Sequence, residues 1–404
     1  MEHRDNDDED NIFSTGSIFA NRELVRIGHV PELSRIVGRD NEVRALGQAL
    51  GPATIGGPPE TTTIYGKTGT GKSLVARCVT REAKLEAERN DVAFQFAYVD
   101  CSDYRTDAQA SREMAHSLAS NLNINGDVPQ SGLAAADYRD ITWKTLKYNN
   151  VNSFVVILDE IDTLDDDELL RSLSRAKESG KASAYIGVIC ISNKVEFRDR
   201  LNERLNSSLQ DKELIFDPYD AGQLREILNS RADAFEEDVL EEEVIPKVAA
   251  LAARAHGDAR KAIDTLYEAG RLAETAREQT VTSTHVDEAV ERAAINRFQS
   301  LIEGTTPHVK YILHALAVLT VETPKTDVFR THRIYNVYSN FADEDGAEPL
   351  SEERVYRLLK EQSFLGITES NHTGGGRGEG SYLEHRLLQD PEIVLQALGR
   401  AKTD

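Results

Sequence analysis

An eight-residue stretch near the start of the chain has the residue types and the spacing of a phosphate-binding loop. Gly66–Ser73 satisfies the pattern G-x-x-x-x-G-K-[ST], follows a strand-like segment and opens a helix-like one. Its glycines let the backbone curl so that successive N–H groups face phosphates at the positive end of a helix. The Lys72 side chain can reach the β- and γ-phosphates, and the Ser73 hydroxyl can ligate Mg²⁺. The sequence therefore predicts that ATP is bound by Gly66, Gly69, Thr70, Gly71, Lys72 and Ser73.

Two carboxylates further along the chain could complete such a site. An apolar run, Val155–Leu158, is followed directly by Asp159 and Glu160. Ligands of parallel sheets bind at the carboxyl ends of the strands, so this run would bring both acids to the phosphates. Asp159 is then predicted to hold Mg²⁺, and Glu160 to orient or deprotonate the attacking water. A neighbouring apolar run ends close to Asn193, whose amide could position the same water, although an asparagine there is also a common turn residue.

Alternating strand-like and helical segments are predicted to position these residues. The predicted strands are Thr62–Tyr65, Ala93–Asp100, Phe154–Leu158, Tyr185–Ile191 and Glu213–Phe216. The helical stretches between them include Ser73–Glu86, Ala108–Leu122 and Leu169–Ser179. Short apolar strands that alternate with helices indicate an α/β fold, a parallel five-stranded sheet covered on both faces.

The segments outside this sheet suggest three further parts. An amphipathic segment, Asp40–Leu50, precedes the first strand and is followed by a Gly/Pro-rich link, Gly51–Pro59. After Pro218 the pattern is helical only, which predicts a helical lid. Its predicted helices are Ala221–Phe235, Glu241–His256, Ala259–Arg277 and Val286–Ile295. We therefore predict a disordered acidic tail (1–11), a nucleotide-binding core (12–219), the lid (220–300) and a C-terminal domain (301–404).

Composition limits the function without deciding it. The chain has 404 residues and a net charge of −22, whereas nucleic-acid-binding proteins usually carry a basic surface. The acidity indicates either a surface adapted to high salt or a protein that does not bind nucleic acid. No run approaches the roughly 20 apolar residues of a membrane-spanning helix, and the acidic N-terminus is unlike a secretory signal, so we expect a cytoplasmic protein. The three cysteines lack metal-ligand spacing and are expected to be buried apolar residues.

Taken together, the motifs resemble those of the archaeal origin-recognition and cell-division-control type replication initiators, which are AAA+ ATPases. The resemblance extends from about Ile12 to Leu398. It is carried by the phosphate loop, the Asp159–Glu160 strand, Ile191–Asn193, Leu201–Leu209, Phe216–Tyr219 and Gly257–Arg260.

The resemblance implies roles for individual side chains. Asn193 would be the first sensor of the γ-phosphate, and Arg260 the second sensor, which closes the lid onto ATP. Arg204 would be the arginine finger presented to the nucleotide of a neighbouring subunit. Tyr219 and Arg231 match a tyrosine and an arginine that the family uses near the nucleotide. Arginine suits these roles because its planar, permanent charge can cancel charge on the γ-phosphate, although each arginine could instead form an ordinary surface ion pair.

Two further positions bear on the same site. The lead-in Val37–Asp40 matches the family segment that packs beside the adenine. Lys194 is a departure, because the family more often has an acid after the sensor asparagine. This departure bears on the rate of hydrolysis more than on nucleotide binding.

The C-terminal region is predicted to contain a winged-helix domain. Leu350–Phe364 is predicted to be a helix with Ser351 as N-cap and an apolar inward stripe. Arg354 and Arg357 are three residues apart and therefore share its solvent face. We expect this helix to enter a DNA major groove and these arginines to contact DNA.

A glycine-rich hairpin follows that helix. Its predicted strands, Gly366–Glu369 and Ser381–Leu388, are joined by a loop that carries Arg377, which we expect to contact the DNA backbone. The loop could also be only a flexible turn. In the family a helical insertion between the second and third strands also touches DNA, and here that stretch is Tyr104–Asn149.

These features predict an ATP- and Mg²⁺-dependent initiator with slow, switch-like hydrolysis. Its expected partners are double-stranded origin DNA, the replicative helicase and paralogous initiator subunits, with no membrane. Two alternatives stay open: a winged-helix regulator of transcription or signalling, and an AAA+ DNA motor. The regulator would usually add ligand-sensing repeats, and the motor would hydrolyse ATP rapidly.

Overall fold

The structure is a computed structural model that describes residues 18–26, 28–124, 128–194, 197, 211–373 and 382–399. The predicted tail (1–11), the predicted arginine finger Arg204 and the predicted wing residue Arg377 lie outside the described residues. The chain divides into two compact units, residues 1–286 and residues 287–404.

A five-stranded parallel sheet forms the centre of the first unit, as predicted. Its strands are β1 (Thr61–Gly66), β2 (Phe94–Asp100), β3 (Ser153–Asp159), β4 (Tyr185–Ser192) and β5 (Asp211–Phe216). Their spatial order is β2-β3-β4-β1-β5, and every neighbouring pair is parallel. β3 is buried along its whole length because strands flank it and helices cover both faces, which explains its continuous apolar sequence.

Eight helices accompany this sheet within the described part of the first unit, apart from short 3₁₀ turns and a long helix that continues into the second unit. Five lie before β5 in the chain: α1 (Asp40–Thr54), α2 (Lys72–Arg89), α3 (Asp107–Asn121), α4 (Ala135–Tyr148) and α5 (Glu168–Arg175). The lid that follows contains α6 (Ala221–Asn229), α7 (Val244–Arg254) and α8 (Ala259–Ala276). Helices α3 and α4 occupy the predicted insertion between β2 and β3.

The predicted Gly/Pro-rich link begins too early. Helix α1 continues to Thr54 and contains Pro52, so residues 51–54 belong to the helix. Ala53 is fully buried, and the Pro52 carbonyl accepts a 2.8 Å hydrogen bond from the Gly57 backbone N–H. Burial and this bond stabilise the last turn although proline cannot donate to the carbonyl four residues earlier.

Several predicted helix ends were also wrong. The predicted helix Ala221–Phe235 ends at Asn229, because Arg231 leaves the helical conformation and its guanidinium donates to the Leu24 carbonyl. The predicted Leu169–Ser179 ends at Arg175, and the chain then turns through Gly180 at φ +71°. The last predicted lid helix is the longer α9 (Ser283–Ile302), which begins in the first unit and continues into the second.

The second unit contains a helical cluster and a small antiparallel sheet. Its further helices are α10 (Pro307–Glu322), α11 (Thr331–Glu344), α12 (Glu352–Phe364) and α13 (Pro391–Ala397). Its strands are β6 (Phe329–Arg330), β7 (Thr368–Thr373) and β8 (Tyr382–Leu387), in the order β6-β8-β7. Helix, strand, two helices and a hairpin in this order form a winged helix, as predicted.

The helix predicted at Leu350–Phe364 is confirmed as α12, which begins at Glu352. The Ser351 hydroxyl accepts from the Arg354 backbone N–H at 3.4 Å, so it caps the helix as predicted. Val355, Leu358 and Leu359 are buried and form the inward stripe.

The hairpin strands differ from their prediction. β7 begins at Thr368 and continues to Thr373, because residues 371–373 pair with residues 382–384 of β8. Three residues assigned to the predicted loop therefore belong to a strand.

All three cysteines are buried, as predicted. In the part of the chain that the structure describes, no helix combines the length and the apolar character needed to cross a bilayer.

Candidate nucleotide-binding site

The phosphate loop connects β1 to α2 and depends on glycine at two positions. Gly69 and Gly71 have φ of +78° and +87°, a left-handed conformation that side chains disfavour. There is also no space for a side chain. A Cβ at Gly69 would overlap the Asp258 carboxylate, and a Cβ at Gly71 would lie 2.6 Å from the Tyr219 hydroxyl. The loop therefore requires glycine both for its backbone and for its close contact with the lid.

Lys72 is the first residue of α2 and is held at the centre of the loop. It is 5% exposed, and its Nζ donates to the carbonyls of Gly66 and Lys67 at 2.8 and 2.7 Å. A third bond, of 2.8 Å, goes to the side-chain oxygen of Asn193. Burial lowers the pKa of Lys72 to about 8, against the opposing attraction of nearby carboxylates. The ammonium group is therefore fixed where the loop backbone curls.

Asp159 ends β3 with both carboxylate oxygens hydrogen-bonded. Oδ2 accepts from the Tyr98 hydroxyl at 2.8 Å, and Oδ1 accepts from the backbone N–H of Glu160 at 3.0 Å. Asp159 is 5% exposed and lines the same cavity as Ser73. A carboxylate and a hydroxyl facing one cavity are hard oxygen ligands, which fits Mg²⁺.

Glu160 follows with an unusual backbone conformation, φ +50° and ψ +40°. Such strain in a residue other than glycine persists where the surroundings enforce it, and it is frequent at functional sites. Burial raises the pKa of Glu160, and the neighbouring Asp100 and Asp159 raise it further. The Asn193 side-chain NH₂ donates to its Oε1 at 3.3 Å. Asn193 therefore links Lys72, predicted to reach the phosphates, to Glu160, predicted to act on the attacking water.

Lys194, the departure noted in the sequence, points away from this network. Its Nζ lies 3.1 Å from Asp162 Oδ2, and its side chain is 65% exposed. Burial of Asp162 opposes ionisation, but hydrogen bonds from Ser192 and Lys194 outweigh it and lower the pKa of this carboxyl. The lysine thus pairs with an acid beside the site.

The lid contacts the phosphate loop directly through the start of α8. The Ala259 backbone N–H donates to the Gly69 carbonyl at 3.1 Å. The Asp258 carboxylate caps the helix by accepting from the Lys261 backbone N–H at 3.1 Å. Arg260, in the first turn of α8, is exposed and lines the cavity.

Arg39 connects four parts of this unit, a role that the sequence motif did not reveal. It is 4% exposed, and its guanidinium donates to the Thr70 carbonyl at 3.1 Å and to the Asp217 carbonyl. It also pairs with Glu42 at 3.0 Å and stacks 4.0 Å from the centre of the Tyr219 ring. Apart from Glu42, its partners are distant in sequence, so no local pattern could have predicted them.

One cleft brings most of the predicted nucleotide-site residues together. Of those described, the ones that line it are Gly69, Gly71, Lys72, Ser73, Asp159, Glu160, Asn193, Tyr219, Arg231 and Arg260. Thr70 is buried and its hydroxyl donates to the Lys67 carbonyl at 2.9 Å, whereas Gly66 ends β1 outside the lining.

Part of the lining of this cleft is apolar and basic. Residues of the lead-in, α2 and the lid contribute Val30, Ile36, Val37, Leu74, Ile227 and Ile263, together with Arg26, His29, Arg35, Arg77 and Arg231. Burial lowers the pKa of His29, as do the neighbouring Arg231 and Arg35. The prediction placed Val37–Asp40 here but missed residues 26–36, whose sequence carries no motif.

The predicted DNA-contacting arginines lie in the second unit. Arg354 and Arg357 are both exposed on α12, and Arg357 pairs with Glu353 one turn earlier. Arg330, in β6, stacks 3.7 Å from the centre of the Tyr382 ring of β8. The short β6 was missed because two residues give no periodic signal.

The phosphate loop, the carboxylate-ended strand and the lid define this chain as an AAA ATPase joined to a winged helix. Family models agree: residues 35–189 match the AAA ATPase domain, 225–291 the Cdc6 AAA+ ATPase-type lid domain, and 300–397 the CDC6 C-terminal winged helix domain. The chain belongs to the ORC1-type DNA replication proteins, the archaeal initiator family to which its motifs pointed.

Two curated relatives and one solved structure illustrate the similarity. The chain is 47% identical to ORC1-type DNA replication protein 9 of Haloarcula marismortui, over 94% of this chain and 91% of the relative. It is 44% identical to ORC1-type DNA replication protein 4 of Halobacterium salinarum, over 96% and 95%. The Aeropyrum pernix ORC1 protein, solved in complex with DNA, is 32% identical with a TM-score of 0.67, over 95% and 97% of the two chains. Relatives from halophilic archaea agree with the acidic composition.

Proposed function

We propose that this ATPase is an initiator of chromosomal replication that binds double-stranded origin DNA, helps to load the replicative helicase, and is switched by ATP. The observation that carries the proposal is the combination of a complete nucleotide cleft with a winged helix whose recognition helix presents arginines to solvent. The similarity to the Aeropyrum pernix ORC1 protein, which was solved with DNA, supports the same assignment.

In the proposed nucleotide site, the loop backbone and Lys72 bind the β- and γ-phosphates. Ser73 and Asp159 hold Mg²⁺, which neutralises charge on the phosphate oxygens when bound. Tyr219 and Arg231 lie beside the nucleotide. The apolar side chains of the cleft lining receive the adenine. The hydroxyl and the carboxylate face one cavity, which supports this division of roles.

Glu160 activates the attacking water, and Asn193 positions it. The raised pKa of Glu160 makes its carboxylate a better proton acceptor than an ordinary glutamate. Asn193 contacts both Glu160 and Lys72, so it is placed to sense the γ-phosphate. Arg260 acts as the sensor from the lid, and Arg204 acts in trans as the arginine finger of a neighbouring subunit. Catalysis that depends on a second subunit would make hydrolysis slow and switch-like in the isolated protein.

The lid is the proposed reporter of nucleotide state. The first turn of α8 already contacts the loop through Ala259 and Gly69. A γ-phosphate between Lys72 and Arg260 would add an electrostatic link between the loop and the lid. Loss of the γ-phosphate on hydrolysis would remove that link, which gives the ATP and ADP forms different lid positions.

DNA binding is assigned to Arg354 and Arg357 of α12 and to Arg377 of the hairpin loop. The 12 basic and 16 acidic side chains from Arg297 to Asp404 give this region a net charge of −4 (12 − 16), out of −22 for the chain. Affinity therefore depends on a few aimed arginines and on counterion release. The insertion Tyr104–Asn149 is a second proposed DNA-contacting region.

The numbered ORC1-type proteins within one organism, such as proteins 9, 17 and 13 of Haloarcula marismortui, suggest paralogous subunits as partners.

The deciding experiment is footprinting on origin-proximal repeats with ATP and with ADP. We expect protection confined to specific repeats and a nucleotide-dependent difference. The double variant R354A/R357A is expected to weaken binding and to lower the salt dependence, by about 1 in log–log slope for each phosphate that is no longer neutralised. Arg89 is the matched control, because it also is an exposed arginine paired to a glutamate on its own helix.

Each part of the proposal can fail separately. If R89A weakens DNA binding as much as R354A/R357A, the recognition-helix assignment is wrong. Sequence-blind protection with rapid ATP turnover would instead support a DNA motor. Helicase loading is tested by ATP-dependent retention of the purified replicative helicase on origin DNA, and no retention would remove that part of the proposal.

A further inference from the structure

Tyr98 contacts the proposed metal-binding carboxylate from a neighbouring strand. Its hydroxyl donates to Asp159 Oδ2 at 2.8 Å. Tyr98 does not line the nucleotide cleft and belongs to no nucleotide-binding motif. Any effect of Tyr98 on the nucleotide site is therefore exerted through Asp159.

The sheet register explains why a long side chain is needed here. Across the β2–β3 pair, Tyr98 stands opposite Ile157 and Asp100 stands opposite Asp159. The carboxylate thus lies two residues, about 6.6 Å, further along the sheet than Tyr98. A tyrosine can extend over that distance and still present a donor at its tip.

Contacts from one helix to the ring and from another to the backbone hold Tyr98 in place. The Arg77 guanidinium of α2 lies 4.8 Å from the ring centre. The Tyr98 backbone N–H, on the edge strand of the sheet, donates to the Ser117 hydroxyl of α3 at 3.1 Å. The ring also packs against the apolar core under β1 and β3. The hydroxyl therefore has little freedom to move away from Asp159.

The two bonds to Asp159 act together. Oδ1 is held by the Glu160 backbone N–H and Oδ2 by the Tyr98 hydroxyl, so rotation of the carboxylate plane would break at least one of them. We propose that Tyr98 is a positioning residue that fixes the orientation in which Asp159 meets the nucleotide-bound Mg²⁺. This inference rests on the proposed role of Asp159 in holding that ion. Mg²⁺ requires nearly ideal octahedral geometry, so its binding is sensitive to the orientation of a ligand.

The test is Tyr98→Phe, which removes only the hydroxyl. The affinity for a fluorescent ATP analogue is measured in EDTA and across a Mg²⁺ titration. We expect unchanged affinity in EDTA and a Mg²⁺ requirement shifted upward by roughly 10-fold, the lower end of what loss of an outer hydrogen bond to a metal ligand costs. Mn²⁺ tolerates more variable coordination geometry. With Mn²⁺ in place of Mg²⁺, the difference in metal requirement between the variant and the wild type should therefore be smaller.

Tyr185→Phe is the matched control, because it removes a hydroxyl from the opposite end of the same sheet. It should match the wild type throughout. The inference is overturned if Tyr98→Phe matches the wild type in both conditions, or if it weakens binding equally in EDTA and in Mg²⁺, which would indicate a structural role only. If the affinity of the wild-type protein for the ATP analogue does not depend on Mg²⁺, the proposed metal site is wrong, and this inference is wrong with it.

Discussion

The nucleotide cleft and helix α12 carry their charged side chains in opposite environments, buried in the cleft and exposed on the helix. Lys72 and Asp159 in the cleft, and Arg39 behind the phosphate loop, are each at most 5% exposed and are held by hydrogen bonds. On α12, Arg354 and Arg357 are exposed to solvent, and Arg357 pairs with Glu353 of the same helix. Buried charges are screened little by salt, whereas exposed ones are screened within about 10 Å at 0.1 M. Nucleotide binding should therefore tolerate salt far better than DNA binding.

The largest expected effect is in the cleft. Lys72→Ala removes a buried cation that would contact two phosphates, and charged hydrogen bonds of this kind contribute about 1.5–3 kcal/mol each. We expect nucleotide affinity to fall by roughly 100-fold or more, measured by titration with a fluorescent ATP analogue. DNA affinity in the absence of nucleotide should be nearly unchanged.

The control for that change is Lys84→Ala, on the same helix but away from the cleft. If Lys72→Ala lowered DNA affinity without nucleotide as much as it lowered ATP affinity, the two regions would not be separable.

An intermediate effect is expected at the contact between loop and lid. Gly69→Ala places a side chain in a left-handed backbone and against Asp258, with strain of about 1–3 kcal/mol. We expect ATP affinity to fall by roughly 10-fold while the second unit keeps its thermal midpoint. Gly304→Ala is matched, because Gly304 has φ +77° and no atom within 4 Å of the added Cβ. Gly304 lies in the second unit, so equal losses of ATP affinity in both variants would show that the effect is not specific to the contact between the loop and the lid.

The smallest effect is expected in the winged helix, at a buried histidine. His385 is fully buried, its ring nitrogens bond to the Thr331 and Ser370 hydroxyls at 2.9 and 2.7 Å, and burial lowers its pKa to about 4. In the unfolded chain the pKa of His385 is near 6.5, so the unfolded state binds more protons than the folded state between pH 6.5 and 4. The free energy of unfolding therefore falls as the pH falls through that window.

That loss should be about 1 kcal/mol at pH 6 relative to pH 8. It is measured from denaturant unfolding of the winged-helix unit at several pH values. His385→Asn should flatten the dependence between pH 6.5 and 4, after its own constant loss of stability. A variant with the same slope as the wild type would show that other groups cause the acid sensitivity.

The sequence predicted what local patterns encode. The loop glycines and the apolar run before Asp159 specify their own conformations, so strands β1 to β5 and the phosphate site were located within a few residues. Patterns could not reveal contacts between distant segments. Tyr98 and Arg39 acquire their roles from a carboxylate on another strand and from backbone carbonyls at Thr70 and Asp217. Tertiary burial of Ala53 likewise overrode the proline that predicted an early end to α1.

The hydrogen bonds and ring contact of Arg39 determine where the chain can be truncated. The AAA family match begins at residue 35, and the first strand of the sheet begins at Thr61. A fragment that starts at α1, at Asp40, would therefore contain the whole sheet and could be chosen as a minimal ATPase domain. Such a fragment would lack the guanidinium that joins the loop to the end of β5. It would also lack Leu24, whose carbonyl receives the Arg231 side chain. The segment before the first helix is therefore part of the catalytic body, and trimming it would remove one wall of the cleft.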